Sequence, residues 1–106
     1  MGNFTYRHVE DTKTMEITLS TGFTPEDQEE LMGIVLERAN RGVVYWDLNL
    51  TQMPTVSSFV IGMMVTMNAV LLSKSGNLRL ILGQHSKVAS ILHLARLDKI
   101  LRFVYV

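Results

Sequence analysis

The first twenty residues alternate between apolar or aromatic and polar side chains, with a polar break in the middle. The alternating residues are Phe4, Tyr6 and His8 in the first run and Met15, Ile17 and Leu19 in the second. A period of two is typical of a strand with one buried face, and Glu10 to Lys13 form a polar turn between the runs. The pattern predicts an antiparallel hairpin.

Three later segments carry helix signals. Thr24 can cap the first helix, Pro25 follows where no backbone N–H is needed, and Gly42 can end it in a left-handed conformation. The apolar stripe of this helix is predicted from Leu31, Ile34 and Val35, extended by the stem of Arg38. A second helix is predicted from Ser57 or Ser58 to Ser73, and a third begins after a cap at Ser86, with Val88, Ile91, Leu92 and Ala95 at helical spacing.

Apolar segments between these helices predict three further strands. Val43 to Trp46 is a continuous apolar run followed by Asp47-Leu48, which is typical of a parallel strand covered on both faces. Leu78, Leu80 and Leu82 alternate, and Phe103 to Val106 ends the chain. The order β-β-α-β-α-β-α-β predicts an α/β fold in one domain, residues 1–106. We expect a mixed sheet of four to five strands with about three helices packed on it.

The composition argues against several kinds of partner, site and location. Ten basic residues balance ten acidic ones, which removes the electrostatic argument for nucleic acid as a partner. There is no cysteine, so thiolate zinc sites and disulfides are excluded. The most apolar segment, Phe59 to Leu72, is shorter than the roughly 20 residues of a membrane span, and the N-terminus has no signal-peptide pattern. We therefore expect a cytoplasmic protein that is not an integral membrane protein.

Catalytic and metal-binding patterns are missing from the sequence. His8, His85 and His93 do not form a metal motif, and the glycines do not form a phosphate loop. Asp47 has no histidine near it in sequence, so we assign it a structural role in holding the loop from Thr51 to Ser57. We predict no enzyme, no cofactor, no metal and no catalytic residue.

Several segments between Val43 and Val104 resemble the STAS domain of bacterial anti-sigma factor antagonists. In that family a hydrophobic strand ends in Asp-Leu, as Asp47-Leu48 does here, and an Asp-Ser-Ser/Thr-Gly-Leu signature opens the next helix. Here that place reads Val56-Ser57-Ser58-Phe59-Val60. A glycine turn follows at Gly76, and Leu97-Asp98-Lys99-Ile100-Leu101 is similar to the family's last helical segment.

The resemblance implies a partner-switching regulator. In phosphorylatable members the first serine of the pair accepts phosphate from a serine kinase, the anti-sigma factor, which has a histidine-kinase-like ATPase fold. A serine phosphatase resets the switch. The simplest alignment carries this role to Ser57, with Val56 and Phe59 in place of the signature aspartate and glycine. A shifted alignment carries it to Ser58.

Helical spacing favours the first alignment. With Ser57 in register, the core positions fall on Val60, Met63, Met64, Met67 and Val70 or Leu71, whereas the shifted register places Asn68 in the buried stripe, where an unpaired amide costs about 1–3 kcal/mol. A phosphate at either serine would be favoured by the helix N-terminus. The alternative hypothesis is that one serine simply caps the helix.

The predicted partner contact is the loop before the second helix and the start of that helix. Its residues are Met53, Thr55, Val56, Ser57, Ser58, Phe59 and Gly62. Three functions stay open: a phospho-switch, an unphosphorylated accessory or scaffolding subunit of a transport or signalling complex, and a small-ligand sensor. The sequence leaves the oligomeric state open, a homodimer included.

Overall fold

Five strands form one mixed sheet in the order β1-β2-β3-β4-β5. The structure, a computed structural model, describes residues 3–106. In chain order the elements are β1 (Phe4–Val9), β2 (Thr14–Leu19), α1 (Pro25–Asn40), β3 (Tyr45–Asn49), α2 (Ser58–Ser73), β4 (Asn77–Leu82), α3 (Lys87–Leu94), a 3₁₀ turn (Leu97–Lys99) and β5 (Arg102–Tyr105). The predicted α/β class and the order β-β-α-β-α-β-α-β are confirmed.

Strand pairing places the helices on one side of the sheet. β1 and β2 form the predicted antiparallel hairpin, whereas β2, β3, β4 and β5 pair in parallel and lie side by side in chain order. Because a parallel crossover is right-handed, three crossovers that all advance in the same direction lie on the same face. That face carries α1, α2 and α3; we call the opposite one the open face.

The core lies between this helical layer and the sheet. Met15, Trp46 and Leu78 stand next to one another on neighbouring strands and are at most 1% exposed, and Ile17, Leu48 and Leu80 form the next row at 0%. The Trp46 indole N–H donates to the backbone oxygen of Val43 at 2.8 Å, which satisfies its one polar atom. The alternation read from the sequence therefore identified the buried face of β2 and β4.

The expectation that β3 is covered on both faces is wrong. Trp46 and Leu48 point into the core, but Tyr45 on the other face is 45% exposed. The reason is the strand order: a sheet that never reverses direction receives all its helices on one face, so even its central strands keep an open side. A run of apolar residues cannot reveal strand order.

The residues that were predicted to begin and end the helices do so in the structure. The Thr24 hydroxyl accepts the Asp27 N–H at 3.1 Å, and the Asp27 carboxylate accepts the Thr24 N–H at 2.9 Å, which completes a capping box. Gly42 ends α1 with a φ of +93°, and the Ser86 hydroxyl accepts the Ala89 N–H at 3.1 Å. These bonds pair backbone groups that a helix end leaves without partners.

The last and the first strands differ slightly from what the sequence predicted. β5 begins at Arg102, one residue before the predicted start. In β1 only Phe4 is buried, and Tyr6 and His8 are exposed, because this is an edge strand. Among residues 3–106, none of the helices combines the length and the apolar character needed to cross a bilayer.

Candidate functional site

The loop from β3 to α2 is anchored by buried residues, and the residues between these anchors are exposed to solvent. Leu50 is 2% exposed and Val56 is 8% exposed, and Met53 packs partly buried against the core. The Asn49 side-chain oxygen accepts the Thr51 N–H at 2.9 Å and the Thr51 hydroxyl at 2.6 Å. Loop residues between such anchors are held in place, so what they expose is displayed in a defined arrangement.

The predicted contact residues divide into two groups by exposure. Thr55, Ser57, Ser58 and Gly62 are exposed, whereas Met53 and Phe59 are half-buried. Val56 points into the core and anchors the loop, so it offers little surface to a partner. The structure thus brings the two serines and Gly62 together at the start of α2.

Ser57 is the N-cap residue of α2, yet its side chain makes no capping hydrogen bond. Its backbone is extended, with φ −94° and ψ 167°, and its carbonyl oxygen accepts the Ile61 N–H at 3.1 Å. Thr24 and Ser86, the caps of α1 and α3, both accept a backbone N–H with their hydroxyl groups. The capping explanation for Ser57 is therefore not what the geometry shows, and its hydroxyl is exposed.

Electrostatics at the start of α2 suit a negative group. The first turn carries no acidic residue, and no charged residue occurs between Ser58 and Ser73. In α1 the same position holds Glu26 and Asp27. The positive end of the α2 dipole is thus not neutralised by the helix's own side chains, which favours an added phosphate.

Phe59, which stands where the resembling signature has glycine, joins α2 to the loop before α1. Its ring stacks on Phe23 at 6.1 Å between centroids and 4° between planes, and Phe23 meets Phe4 edge-on at 6.0 Å. Phe23 is 8% exposed. The departure from the signature therefore has a packing reason, because the ring fills a place that a glycine would leave empty.

Beyond its first turn, α2 has one buried and one exposed face. The predicted stripe is confirmed: Val60, Met63, Met64, Met67 and Leu71 are at most 1% exposed. The exposed face carries Ser58, Gly62, Val65, Ala69 and Leu72, with Val65 37% and Leu72 56% exposed. This uncharged strip, which we call the α2 strip, continues from the two serines along the helix.

The position of Asn68 does not distinguish the two serine registers. Sequence spacing predicted that Asn68 would avoid the core, but Asn68 is buried, at 6% exposure. Among residues 3–106, no fully buried side-chain nitrogen or oxygen is left without a partner, so the burial of Asn68 gives no ground for rejecting either register. Helical spacing therefore does not separate Ser57 from Ser58, and both remain candidates.

Asp47 does not hold the loop, contrary to the sequence-based expectation. Its carboxylate accepts two hydrogen bonds of 2.8 Å from Arg79, from Nε and from Nη2. This pairing raises the pKa of the Arg79 guanidinium. Asn49, two residues further on, bonds the loop instead. The two partners of the ion pair are 32 residues apart, so no local pattern could have revealed it.

His93 also has partners that sequence reasoning missed. Its Nε2 lies 2.6 Å from the Tyr105 hydroxyl, and its Nδ1 lies 3.6 Å from the Asp98 carboxylate. His85 and His93 both line a cavity of about 480 Å³ at the end of β5. No cluster of three histidine, aspartate or glutamate side chains that could hold a metal occurs in the described part of the chain.

Comparison with known proteins gives a structural match only. Neither a protein-family model nor a curated protein matches this chain. The NMR structure of the protein TM1081 matches with a TM-score of 0.83 and 22% identity, covering 94% of this chain and 78% of that one. The crystal structure of TM1081 from Thermotoga maritima, described there as a "putative anti-sigma factor antagonist", has a TM-score of 0.81 and 23% identity, covering 97% and 86%.

This chain has a STAS-like fold, which it shares with TM1081. The resemblance drawn from Asp47-Leu48 and the serine pair is thereby confirmed at the level of the fold. In this STAS-like fold the two serines occupy the junction between the central strand and its downstream helix. Because the sequence identity is only 22%, the similarity concerns the fold and no other property.

Proposed function

We propose that this protein is a partner-binding regulator of the anti-sigma factor antagonist type, controlled by phosphorylation at Ser57 or Ser58. The exposed Ser57 hydroxyl, which caps nothing, is the observation that carries the proposal. The name of the structural neighbour supports the general role. The proposal assigns no catalytic step to this chain and places it in the cytoplasm, with ATP and protein kinases.

The α2 strip supports a protein as the partner. It exposes Val65 and Leu72 without any charged residue beside them on the helix. An uncharged helical surface can be dehydrated at little cost when another protein covers it. A phosphate at the head of this strip adds a charge of about −1.5 to −2, which would disfavour an uncharged interface there.

In this proposal the unmodified protein binds a serine kinase of the histidine-kinase-like ATPase fold, which is also the anti-sigma factor. Transfer of the γ-phosphoryl group of ATP to the serine hydroxyl releases ADP and a proton and weakens the complex. A serine phosphatase then removes the phosphate by hydrolysis. The loop from Met53 and the α2 strip form the contact.

The test has two arms. The protein is incubated with ATP and a cognate serine kinase of proven activity, and intact mass is measured for wild type, Ser57→Ala and Ser58→Ala. We expect one phosphate in wild type and none in one of the two variants. No mass gain at either serine contradicts the phospho-switch.

The second arm measures binding to the same kinase without ATP. Val65→Asp, on the α2 strip, should weaken the complex at least ten-fold, and Ser90→Asp, an exposed serine of α3, serves as the control with the same added charge. Equal loss in both variants would contradict the α2 strip as the contact.

A second candidate is an unphosphorylated accessory or scaffolding subunit of a transport or signalling complex. Val56 and Phe59 favour it, because both stand in place of signature residues and are built into the packing. A stable complex whose affinity is unchanged by Ser57→Asp and Ser58→Asp would select this candidate over the switch.

A further inference from the structure

One row of ionised side chains crosses the whole sheet. The strand registers place Arg7 opposite Glu16, Glu16 opposite Asp47, Asp47 opposite Arg79, and Arg79 opposite Arg102. Each of the five strands thus contributes one charged residue, and the five residues lie side by side across the sheet. These positions alternate with the core residues Ile17, Leu48 and Leu80, so the row lies on the open face, away from α2.

Two ion pairs account for four of the five charges. Arg7 donates to Glu16 with Nε and Nη2, both at 3.2 Å, and Arg79 donates to Asp47 at 2.8 Å. Arg102 forms no ion pair with any residue of the described part of the chain. Its neighbour on β4 is another arginine, and like charges directly across a sheet repel. The row therefore ends in one uncompensated positive charge, that of Arg102.

A cleft of about 400 Å³ lies over this end of the row. Arg79 and Arg102 line it together with Tyr45, Asn77, Thr12, Thr14 and Asp47, whose carboxylate is paired with Arg79. These side chains come from β3, β4, β5 and the β1–β2 hairpin, so the fold brings them together. Tyr45 and Asn77 can donate a hydrogen bond to a ligand, whereas the Thr12 and Thr14 hydroxyl groups already donate to backbone oxygens.

The free donors suit an anion with three acceptor oxygens. Arg79 already donates to Asp47 with Nε and with one N–H of Nη2, so only its remaining N–H groups are free, whereas Arg102 keeps its whole fork. A carboxylate would use both its oxygens on Arg102 alone. A phosphate group has a third oxygen for Arg79 or Asn77, and a guanidinium fork fits phosphate oxygens well.

We propose that the open-face cleft between Arg79 and Arg102 binds a phosphate group, either free phosphate or the phosphate of a small monoester. Arg102 is the main binding residue, since its fork has no other partner. Arg79 contributes one donor and is held in position by Asp47. This site is separate from the serines of α2 and does not depend on the proposed function.

The test is an NMR titration of ¹⁵N-labelled protein at constant ionic strength. Inorganic phosphate is added in one arm and ribose 5-phosphate in another, and the two arms distinguish free phosphate from a monoester. We expect saturable shifts confined to the amides around Asn77, Arg79 and Arg102. Malonate, a dicarboxylate, should bind at least ten-fold more weakly.

Arg102→Ala should weaken phosphate binding about ten- to hundred-fold, the usual effect of losing a charge-assisted contact. Arg41→Ala removes the same charge from an exposed position at the end of α1 and should leave binding unchanged. Thermal unfolding of both variants verifies that the fold is kept. Non-saturable shifts, equal loss in both variants, or malonate binding as tightly as phosphate would overturn the proposal.

Discussion

The rings of Phe23 and Phe59 lie parallel, 6.1 Å apart between centroids, and tie the loop before α1 to the first turn of α2. Phe59 is half-buried and Phe23 is buried. The candidate phosphorylation site is thus adjacent to a packed aromatic contact. Packing at this point holds the two serines where they are exposed.

Replacing Phe59 by alanine should destabilise the protein by about 1–3 kcal/mol, less than a fully buried phenylalanine because the ring is only half-buried. Phe59→Leu keeps much of the volume and should cost less. The free energy of unfolding in urea is measured by fluorescence of Trp46, the one tryptophan. Equal stability of the alanine variant and wild type would show that the aromatic contact does not stabilise the fold.

The two serine N-caps should respond differently to alanine. Ser86→Ala removes a hydroxyl that accepts the Ala89 N–H and should lower the free energy of unfolding by about 1 kcal/mol. Ser57→Ala removes a hydroxyl that caps nothing, so its effect should stay within about 0.5 kcal/mol. Urea unfolding measures both. A loss in Ser57→Ala as large as in Ser86→Ala would mean that the Ser57 hydroxyl caps α2 in solution.

Gly76 cannot accept a side chain. Its N–H donates to the Leu71 oxygen at 2.8 Å, and an added Cβ would collide with the backbone carbonyl of Val44. Gly76→Ala should therefore cost at least about 2 kcal/mol, because a backbone atom must move. Gly33→Ala, in an open position of α1, should stabilise by about 0.5–1 kcal/mol. Thermal unfolding measures the stability of both variants. A Gly76→Ala variant as stable as wild type would contradict the close contact with Val44.

Asp27 should make the stability of the fold sensitive to acid. Its carboxylate accepts the Thr24 N–H and the Asn3 amide, and the backbone bond to Thr24 is the main reason that its pKa lies below the ordinary value. The folded pKa is thus lower than the unfolded one. This contribution is present above the unfolded pKa of about 4 and is lost as the pH falls through the folded pKa.

Urea unfolding between pH 7 and pH 3 checks this. Asp27→Asn should be less stable than wild type at pH 7, and the difference should shrink as the pH falls. A difference that stays constant over this range would mean that the ionised carboxylate is not what stabilises the capping box.

Local chemistry along the chain was enough to predict the elements and much of the core. Alternation identified the buried face of β2 and β4, and helical spacing identified the stripe of α2. Thr24, Gly42 and Ser86 marked helix ends because capping depends on residues within one turn. The exposed serines at the β3–α2 junction followed from the same local reading.

Contacts between distant parts of the chain were decided only by the tertiary structure. The strand order left one face of β3 without a helix on it. The strand register placed Asp47 beside Arg79 and aligned the row of charged residues that ends at Arg102. The burial of Asn68 and the stacking of Phe59 on Phe23 depend on how helices pack against their neighbours. A sequence pattern reports the period of one element, whereas a register or packing contact depends on the relative position of two elements. That relative position exists only once the whole sheet has formed.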